Sequence, residues 1–340
     1  LTSRRNIVIY IIATILILGI VAGFSNTFHT DNSRHSASFG ETIVMEAAPP
    51  SSGTPGDYDL LSNLKFTAYK LHHSKYFKGF TKGTVSADIG IGSYTQYLTN
   101  TRIVYNETTV FAETISSSSL KSLAEQKYID NDIVIYRPAD KISSDSVTFK
   151  STAMQMSFED FSSKYGSVPN QLSKYIINEE TILSVKDENA AKAAPLNSDG
   201  SDVSFNVPDR LVPNADGNYV FTLTLDPVKS SLYYRNEVRT LGGADQNPKF
   251  YSVKVTVTVN SQWYPISTRT LEEYDIEIPV LGAMRCSGDN FEEFSMIDDE
   301  NGKIPEKDFF QKYVDEAKSK PGYVPPIINV DGPLSASDYL

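Results

Sequence analysis

Catalysis by a nucleophile with a histidine base is the first chemistry to test in this chain, because its histidines lie close to one end. They are His29, His35, His72 and His73. A Ser-His-Asp or Cys-His arrangement needs a histidine beside the nucleophile, and the single cysteine, Cys286, is far along the chain from all four. The sequence has no Gly-x-Ser-x-Gly turn. We therefore predict no catalytic residue of this kind.

Metal binding and thiol chemistry are the next candidates. Because adjacent residues on a strand point to opposite faces, we interpret His72 and His73 as a solvated pair, with a metal site as the alternative. Cys286 has no neighbouring histidine that would activate its thiol, so we interpret it as a small core or turn residue. Glycine-rich phosphate-binding loops are absent from the sequence. We therefore predict no metal and no cofactor.

Carboxylates are the remaining abundant catalytic group, since the chain has 42 Asp and Glu residues. The Ser-x-x-Lys matches at 62–65 and 118–121 resemble penicillin-binding enzymes, but the companion motifs of those enzymes are not recognisable in order. The acidic stretch 298–302 lacks the preceding acid of a calcium loop, because Ile297 stands there. No pair of acids is singled out, so an enzyme with paired carboxylates stays an alternative.

The apolar run from Ile7 to Phe24 predicts how the chain reaches a membrane. Eighteen helical residues span about 27 Å, which nearly matches the hydrocarbon core of a bilayer. Arg4 and Arg5 precede the run, which favours a cytoplasmic N-terminus with the rest of the chain outside. We predict a cytoplasmic stub over 1–5 and a single-pass signal-anchor over 6–24 in the cell membrane. A cleaved secretory signal is the alternative.

The charge of the chain excludes one class of partner. Lys and Arg number 31 against 42 Asp and Glu, which gives a net charge of −11. A surface of that sign repels phosphate backbones, so we predict no nucleic-acid partner. With one cysteine the chain forms no intrachain disulfide, and its stability must come from a hydrophobic core.

Composition and periodicity divide the remaining chain into three parts. Residues 25–57 are rich in Ser, Thr, Gly and Pro and predict a flexible stalk. Residues 58–320 alternate apolar and polar side chains in short runs, which predicts an extracytoplasmic β-rich domain. Residues 321–340 form a Pro-rich tail.

The elements of the domain can be placed from local patterns. About ten strands are predicted, most clearly over 219–225, 251–259 and 274–278, and more weakly over 84–89, 102–105, 110–115, 132–136, 147–150, 181–186 and 283–294. Helices are predicted over 157–166, 169–177, 227–241 and 305–319. We expect an α+β domain after the N-terminal transmembrane helix. Its large curved antiparallel sheet, shaped like a half-barrel, would carry the helices on one face.

The order of these elements resembles that of the LolA and LppX group of cell-envelope lipoprotein carriers. The resemblance rests on the amphipathic strands 219–225, 250–259 and 274–278 and on the helices at 157–177 and 227–241. It implies a half-barrel that wraps around helices and holds acyl chains between them. The group's usual lipobox cysteine is absent from this chain. The resemblance implies lipid-facing side chains such as those of Phe221, Leu223, Val253, Val255 and Val257. The alternative is that these side chains pack on the helices in a filled core.

Three functions follow from these observations. The first is a membrane-tethered, extracytoplasmic binding protein that holds a lipid or a lipoprotein acyl chain. The second is a non-catalytic scaffold of the cell envelope that contacts another envelope protein. The third is an enzyme that acts on envelope polymers with two carboxylates. The absence of recognisable catalytic motifs favours the non-enzymatic functions.

Overall fold

The structure is a computed structural model, which describes residues 44–323 except for 75, 89–92, 107–108, 119–121, 132, 144, 158–171, 194–209, 233, 236–247, 279–281 and 297–303. Twelve strands form one open antiparallel sheet. The strands are β1 (Phe77–Asp88), β2 (Ser93–Asn106), β3 (Thr109–Ser118), β4 (Ser122–Asp130), β5 (Ile133–Ile142), β6 (Val147–Phe149), β7 (Met154–Ser157), β8 (Ile182–Asp187), β9 (Tyr219–Leu225), β10 (Lys249–Val259), β11 (Pro265–Ile278) and β12 (Gly282–Met296).

The strand order across the sheet is β6-β5-β4-β3-β2-β1-β12-β11-β10-β9-β8, and β7 pairs with β5. The first five strands therefore form one meander, and β12 joins it to the last strands by pairing with β1. We call the face that carries Phe221 and Val255 the inner face, and the opposite face the outer face. The large antiparallel sheet confirms the coarse fold predicted from the sequence.

Helices lie on both faces of the sheet, and the prediction that they share one face is wrong. Three α-helices have described bounds, α1 (Leu60–His72), α2 (Glu188–Ala193) and α3 (Lys307–Lys318), and a 3-10 helix spans Pro55–Asp57. Leu64, Ala68 and Leu71 of α1 pack into the core of the inner face. Phe310 and Val314 of α3 pack on the outer face. A sheet with apolar side chains on both faces needs cover on both, which explains the difference.

Helix α1 was not predicted, because polar side chains occupy several of its buried positions. Asn63, Thr67 and His72 are all buried. Asn63 accepts a hydrogen bond from the indole nitrogen of Trp263 at 2.7 Å and donates to the Pro55 carbonyl at 2.8 Å. These bonds fix the start of α1 against the turn between β10 and β11.

The other predicted helices had different outcomes. The helix over 305–319 is confirmed as α3. The described part of 169–177 contains no helix, although Leu172 and Tyr175 are buried as expected. Asp226 accepts hydrogen bonds from the backbone nitrogens of Val228 and Lys229 at 2.9 and 3.0 Å, as a helix-capping residue does. The helix predicted over 157–166 lies outside the described residues.

A bulge changes one predicted face. The alternation of Tyr251 with Val253 predicts that both are buried, but the pairing of β10 with β11 shifts register between Phe250 and Ser252. Phe250 is therefore buried in the core, and Tyr251 is 37% exposed. An extra residue in one strand reverses the direction of the side chains before it.

The end of the predicted stalk packs against the domain. Val44 is fully buried, and the Met45 nitrogen donates to the Ile177 carbonyl at 3.0 Å. Residues 44–57 thus differ from a free linker, because their apolar and acidic side chains find partners on α1 and near Ile177. The predicted stub, anchor and first part of the stalk, residues 1–43, lie outside the described residues. Within residues 44–323, gaps aside, no helix is long and apolar enough to cross a membrane.

Candidate functional site

The five predicted lipid-facing residues lie together on the inner face of β9 and β10. Val255 pairs with Leu223, and Val257 pairs with Phe221. Phe221, Leu223, Val253, Val255 and Val257 are all 0% exposed and belong to one cluster with the apolar side chains of α1. We call this inner face of β9 and β10 the aliphatic half. Its large side chains and the helix above it fill the space as a protein core does.

The inner face of β1–β4 has a different lining, and we call it the polar half. At one end an apolar row crosses the strands in register. The row consists of Phe77, Val104, Val110, Ile129 and Val134, all of them buried. Neighbouring residues on the same face follow at about 7 Å along each strand, and there the lining becomes polar.

The polar side chains of this half are buried or half-buried, and they bond to one another across strands or along one strand. Asn100 donates to the Thr114 hydroxyl at 3.1 Å, and Gln96 Nε2 donates to the Ser116 hydroxyl. Lys127 Nζ lies 2.8 Å from Glu125 Oε1, with both side chains almost fully buried. We call Gln96, Asn100, Thr114, Ser116, Glu125 and Lys127 the polar floor. Hydroxyl, amide and ionic groups thus cover an area that a simple core would fill with hydrocarbon.

Three glycines let polar side chains lie flat on the inner face. A Cβ at Gly79 would come within 2.4 Å of Glu292, and one at Gly83 within 2.1 Å of Asn290. A Cβ at Gly288 would meet the side chain of Glu272 at 2.6 Å. Each of these polar side chains therefore occupies the place of a missing side chain on the adjacent strand. At these positions the side chains of the inner face therefore extend only a short distance above the sheet.

Small side chains add to this effect in the polar half. Ala87, Ala112, Thr114 and Ser116 project from the inner face beside Gly79 and Gly83. Such residues contribute little volume above the sheet, so the space over them belongs to another part of the chain or to a bound molecule. The two halves of one face thus differ in how far their own side chains fill it.

A buried carboxylate marks the boundary between the halves. Glu272 on β11 accepts hydrogen bonds from the hydroxyls of Tyr175 and Tyr234, the second at 3.3 Å. Lys174 Nζ lies 3.4 Å from Glu272 Oε2 and 3.5 Å from the ring centroid of Tyr234. Burial, followed by the charge of Glu272, raises the pKa of Tyr175 well above its usual value. The cluster holds the segment around Tyr175 onto the sheet.

The sequence predicted that the two histidines are solvated, and this prediction is wrong. Both histidines contact an acid. His72 is buried at the end of α1, where its Nδ1 lies 2.7 Å from Glu46 Oε2. His73 Nε2 lies 3.6 Å from Glu46 Oε1, and its ring stacks on Tyr69. Burial alone would raise the pKa of Glu46, but the hydrogen bonds and charges of the two histidines lower it to about 2. Within the described residues no group of His, Cys, Asp and Glu forms a metal site.

The thiol and one of the Ser-x-x-Lys motifs also have structural partners. Cys286 is buried, and burial together with the charges of Asp275 and Glu272 raises the pKa of its thiol to about 12. This confirms its interpretation as a small core residue. The Ser62 hydroxyl donates to Asp59 at 2.7 Å, and Lys65 pairs with Glu179 at 2.9 Å. These contacts position α1.

A separate cleft of about 380 Å³ lies between the start of α1 and the edge strand β8. It is lined by Asp59, Leu60, Leu61, Glu179, Ile182 and Val185. One of its two acids is already paired with Lys65. Beside the cleft, β8 pairs irregularly with β9 between Ile182 and Ser184. Such a bulge protects a sheet edge against pairing with another strand.

The residues of the polar floor were missed by sequence analysis. In β2 the inward residues Gln96 and Asn100 alternate with outward residues that are also polar, so no face stands out. In β4, Glu125 and Lys127 are buried charges, which reverse the pattern expected of a strand. The pair of opposite charges two residues apart was the one available signal, since such residues share a face of a strand.

No family model and no curated protein matches the chain. Solved structures do match it. The chain is similar to a LolA superfamily protein, NE2245, from Nitrosomonas europaea, with 11% identity over 75% of this chain and 99% of that one, at a TM-score of 0.24. It is also similar to a putative outer membrane lipoprotein-sorting protein domain from Vibrio parahaemolyticus, with 10% identity over 70% and 91% of the two chains, at a TM-score of 0.24.

Proposed function

We propose that the protein is a non-catalytic binding protein that holds an amphiphile, a lipid or an acyl chain of a lipoprotein, over the polar half of the inner face. The anchor predicted over 6–24 would tether it to the cell membrane with the domain on the extracytoplasmic side. We place the ligand over β1–β4 because small and polar side chains line that part of the inner face, whereas large apolar side chains line the aliphatic half.

One observation carries this proposal: an apolar row and the polar floor lie on the same face of the same strands, with small side chains among them. The row from Phe77 to Val134 offers hydrocarbon. The polar floor begins at Lys127, about 7 Å further along β4, and extends to Gln96, about 27 Å from the row along β2. An amphiphile needs both kinds of lining within one molecular length. A purely structural core seldom buries an ion pair such as that of Glu125 and Lys127, because desolvation opposes it.

The test is native mass spectrometry of the full chain, purified from a membrane-containing host and followed by lipid extraction. We expect a stoichiometric amphiphile that survives purification. The variant Ala112→Leu, which adds volume to the polar half, should lose this ligand, whereas Tyr97→Ser on the outer face should retain it. A full chain that is folded and free of bound amphiphile would refute the proposal.

A second function, that of a scaffold, is favoured by exposed apolar side chains on the outer face. Tyr97, Leu271 and Phe291 lie on β2, β11 and β12 and are 59%, 39% and 38% exposed. Leu271 and Phe291 are on adjacent strands, and β1 separates them from Tyr97. Exposed apolar groups that lie near one another on a surface are typical of protein contact sites. Crosslinking of membranes that contain the full chain tests this function. A partner that is captured by the wild type and lost in Tyr97→Ser and Phe291→Ser would support the scaffold, and an unchanged pattern would exclude this surface.

A further inference from the structure

One buried oxygen of the polar floor can accept a hydrogen bond but accepts none from the described residues. Gln96 is 1% exposed, and its Nε2 is engaged by the Ser116 hydroxyl. Its Oε1 accepts no hydrogen bond from any residue that the structure describes. An amide oxygen has two lone pairs, and leaving it buried without a donor is costly. The atom therefore points to a missing hydrogen-bond donor.

The charges around this atom limit which donor fits. Lys127 pairs with Glu125, and Arg102 Nη2 lies 2.8 Å from Glu292 Oε1. The cations of the polar half thus face carboxylates of their own. A phosphate or carboxylate would compete with these carboxylates and would meet an acceptor oxygen at Gln96. An uncharged donor meets no such penalty.

Apolar side chains flank Gln96 as well. Val85 lies opposite it on β1, and Tyr94 and Leu98 are its neighbours on the same face of β2. Val85 and Tyr94 are buried. A group bound at Gln96 would therefore sit between hydrogen-bonding and hydrocarbon surfaces, as the junction of a headgroup and its acyl chain does.

We infer that Gln96 and Ser116 bind the headgroup of an amphiphile, and that this headgroup is uncharged and bears hydroxyl groups, one of which donates to Gln96 Oε1. This inference rests on the proposed function and adds the chemical class of the headgroup. The serine hydroxyl accepts and donates, so a polyol headgroup can bond to both side chains. The inferred class comprises acylglycerols and lipids with sugar headgroups.

The probes for the test share one acyl chain and differ in the head. The full chain, held in amphipol, is titrated with monooleoylglycerol, with oleate and with the dimethyl ether of monooleoylglycerol, which keeps the acceptors and lacks the donors. We expect monooleoylglycerol to bind about tenfold more tightly than the other two, the effect of one hydrogen bond to a buried acceptor. Equal affinities for the three probes would overturn the inference.

Variants assign the preference to its residues. Gln96→Leu should reduce the affinity for monooleoylglycerol about tenfold and leave that for oleate unchanged. Ser116→Ala should act in the same direction if Gln96→Leu does not fold. Thr99→Val, on the outer face of the same strand, is the matched control and should bind like wild type. Unchanged discrimination in the folded Gln96 and Ser116 variants refutes the inference alone, whereas failure of all three probes to bind refutes the proposed function as well.

Discussion

The aliphatic half and the polar half belong to one face of one sheet, yet they are built on different rules. In the aliphatic half, Phe221, Val255 and their neighbours are large, fully buried and covered by α1. In the polar half, glycine, alanine, serine and threonine contribute little side-chain volume above the sheet. Charged groups there are buried in pairs. The first half stabilises the fold through close packing. The second buries small side chains and hydrogen-bonding groups, which stability alone does not require.

The largest expected effect comes from a truncation in the aliphatic half. Phe221→Ala removes a fully buried ring from the centre of this core. We expect a loss of about 3–5 kcal/mol in the free energy of unfolding, from lost burial and from the cavity left behind. Denaturant titration of the full chain measures it. A loss below about 1 kcal/mol would show that the aliphatic half is loosely packed and would remove the contrast between the halves.

A matched pair of enlargements compares the two halves directly. Ala68 of α1 is fully buried in the core cluster that contains Phe221 and Val255, so Ala68→Leu should cost about 1–3 kcal/mol through overpacking. Ala112 lies in the polar half and is half-buried, so Ala112→Leu should change the free energy of unfolding by less than about 1 kcal/mol. Both variants are measured in denaturant without added ligand. Equal costs would mean that the polar half is as full as the aliphatic half.

A smaller, pH-dependent effect than that of Phe221→Ala concerns the segment before α1. Because the pKa of Glu46 is about 2 in the folded protein, below its usual 4.5, its contribution to stability is present above pH 4.5 and is lost as the pH falls towards 2. Glu46→Gln should therefore be about 1 kcal/mol less stable than wild type near pH 6. The difference should vanish near pH 2. Denaturant titrations at several pH values measure it, and a difference that is independent of pH would contradict the assignment.

Sequence patterns predicted the aliphatic half well because its residues follow the ordinary distribution of side chains. Tyr219–Leu225 was predicted with the observed bounds, since apolar residues face the core and threonines face the other side. Strand β4 and helix α1 were missed, because Lys127 and Asn63 are polar residues at buried positions. Burial of a polar group depends on a partner distant in sequence, such as Trp263 for Asn63. Local periodicity does not contain that information.

The candidate site was harder to predict for the same reason. The family resemblance predicts that Phe221 and Val255 face lipid, and in the structure they lie in the core cluster that also contains α1. Gln96 and Ser116 become neighbours only through the register of β2 with β3. The predicted large antiparallel sheet thus agrees with the structure. The proposed binding surface depends on cross-strand pairs, which the sequence of a single strand does not show.

The three glycines of the inner face have a consequence for how this sequence can vary. Gly79, Gly83 and Gly288 each accommodate one side chain of an adjacent strand, those of Glu292, Asn290 and Glu272. A larger residue at any of these glycines requires its partner side chain to move aside or to become shorter. Related sequences should therefore show paired changes at 79 and 292, at 83 and 290, and at 288 and 272. These three pairs of positions can identify distant relatives whose overall sequence identity to this chain is low.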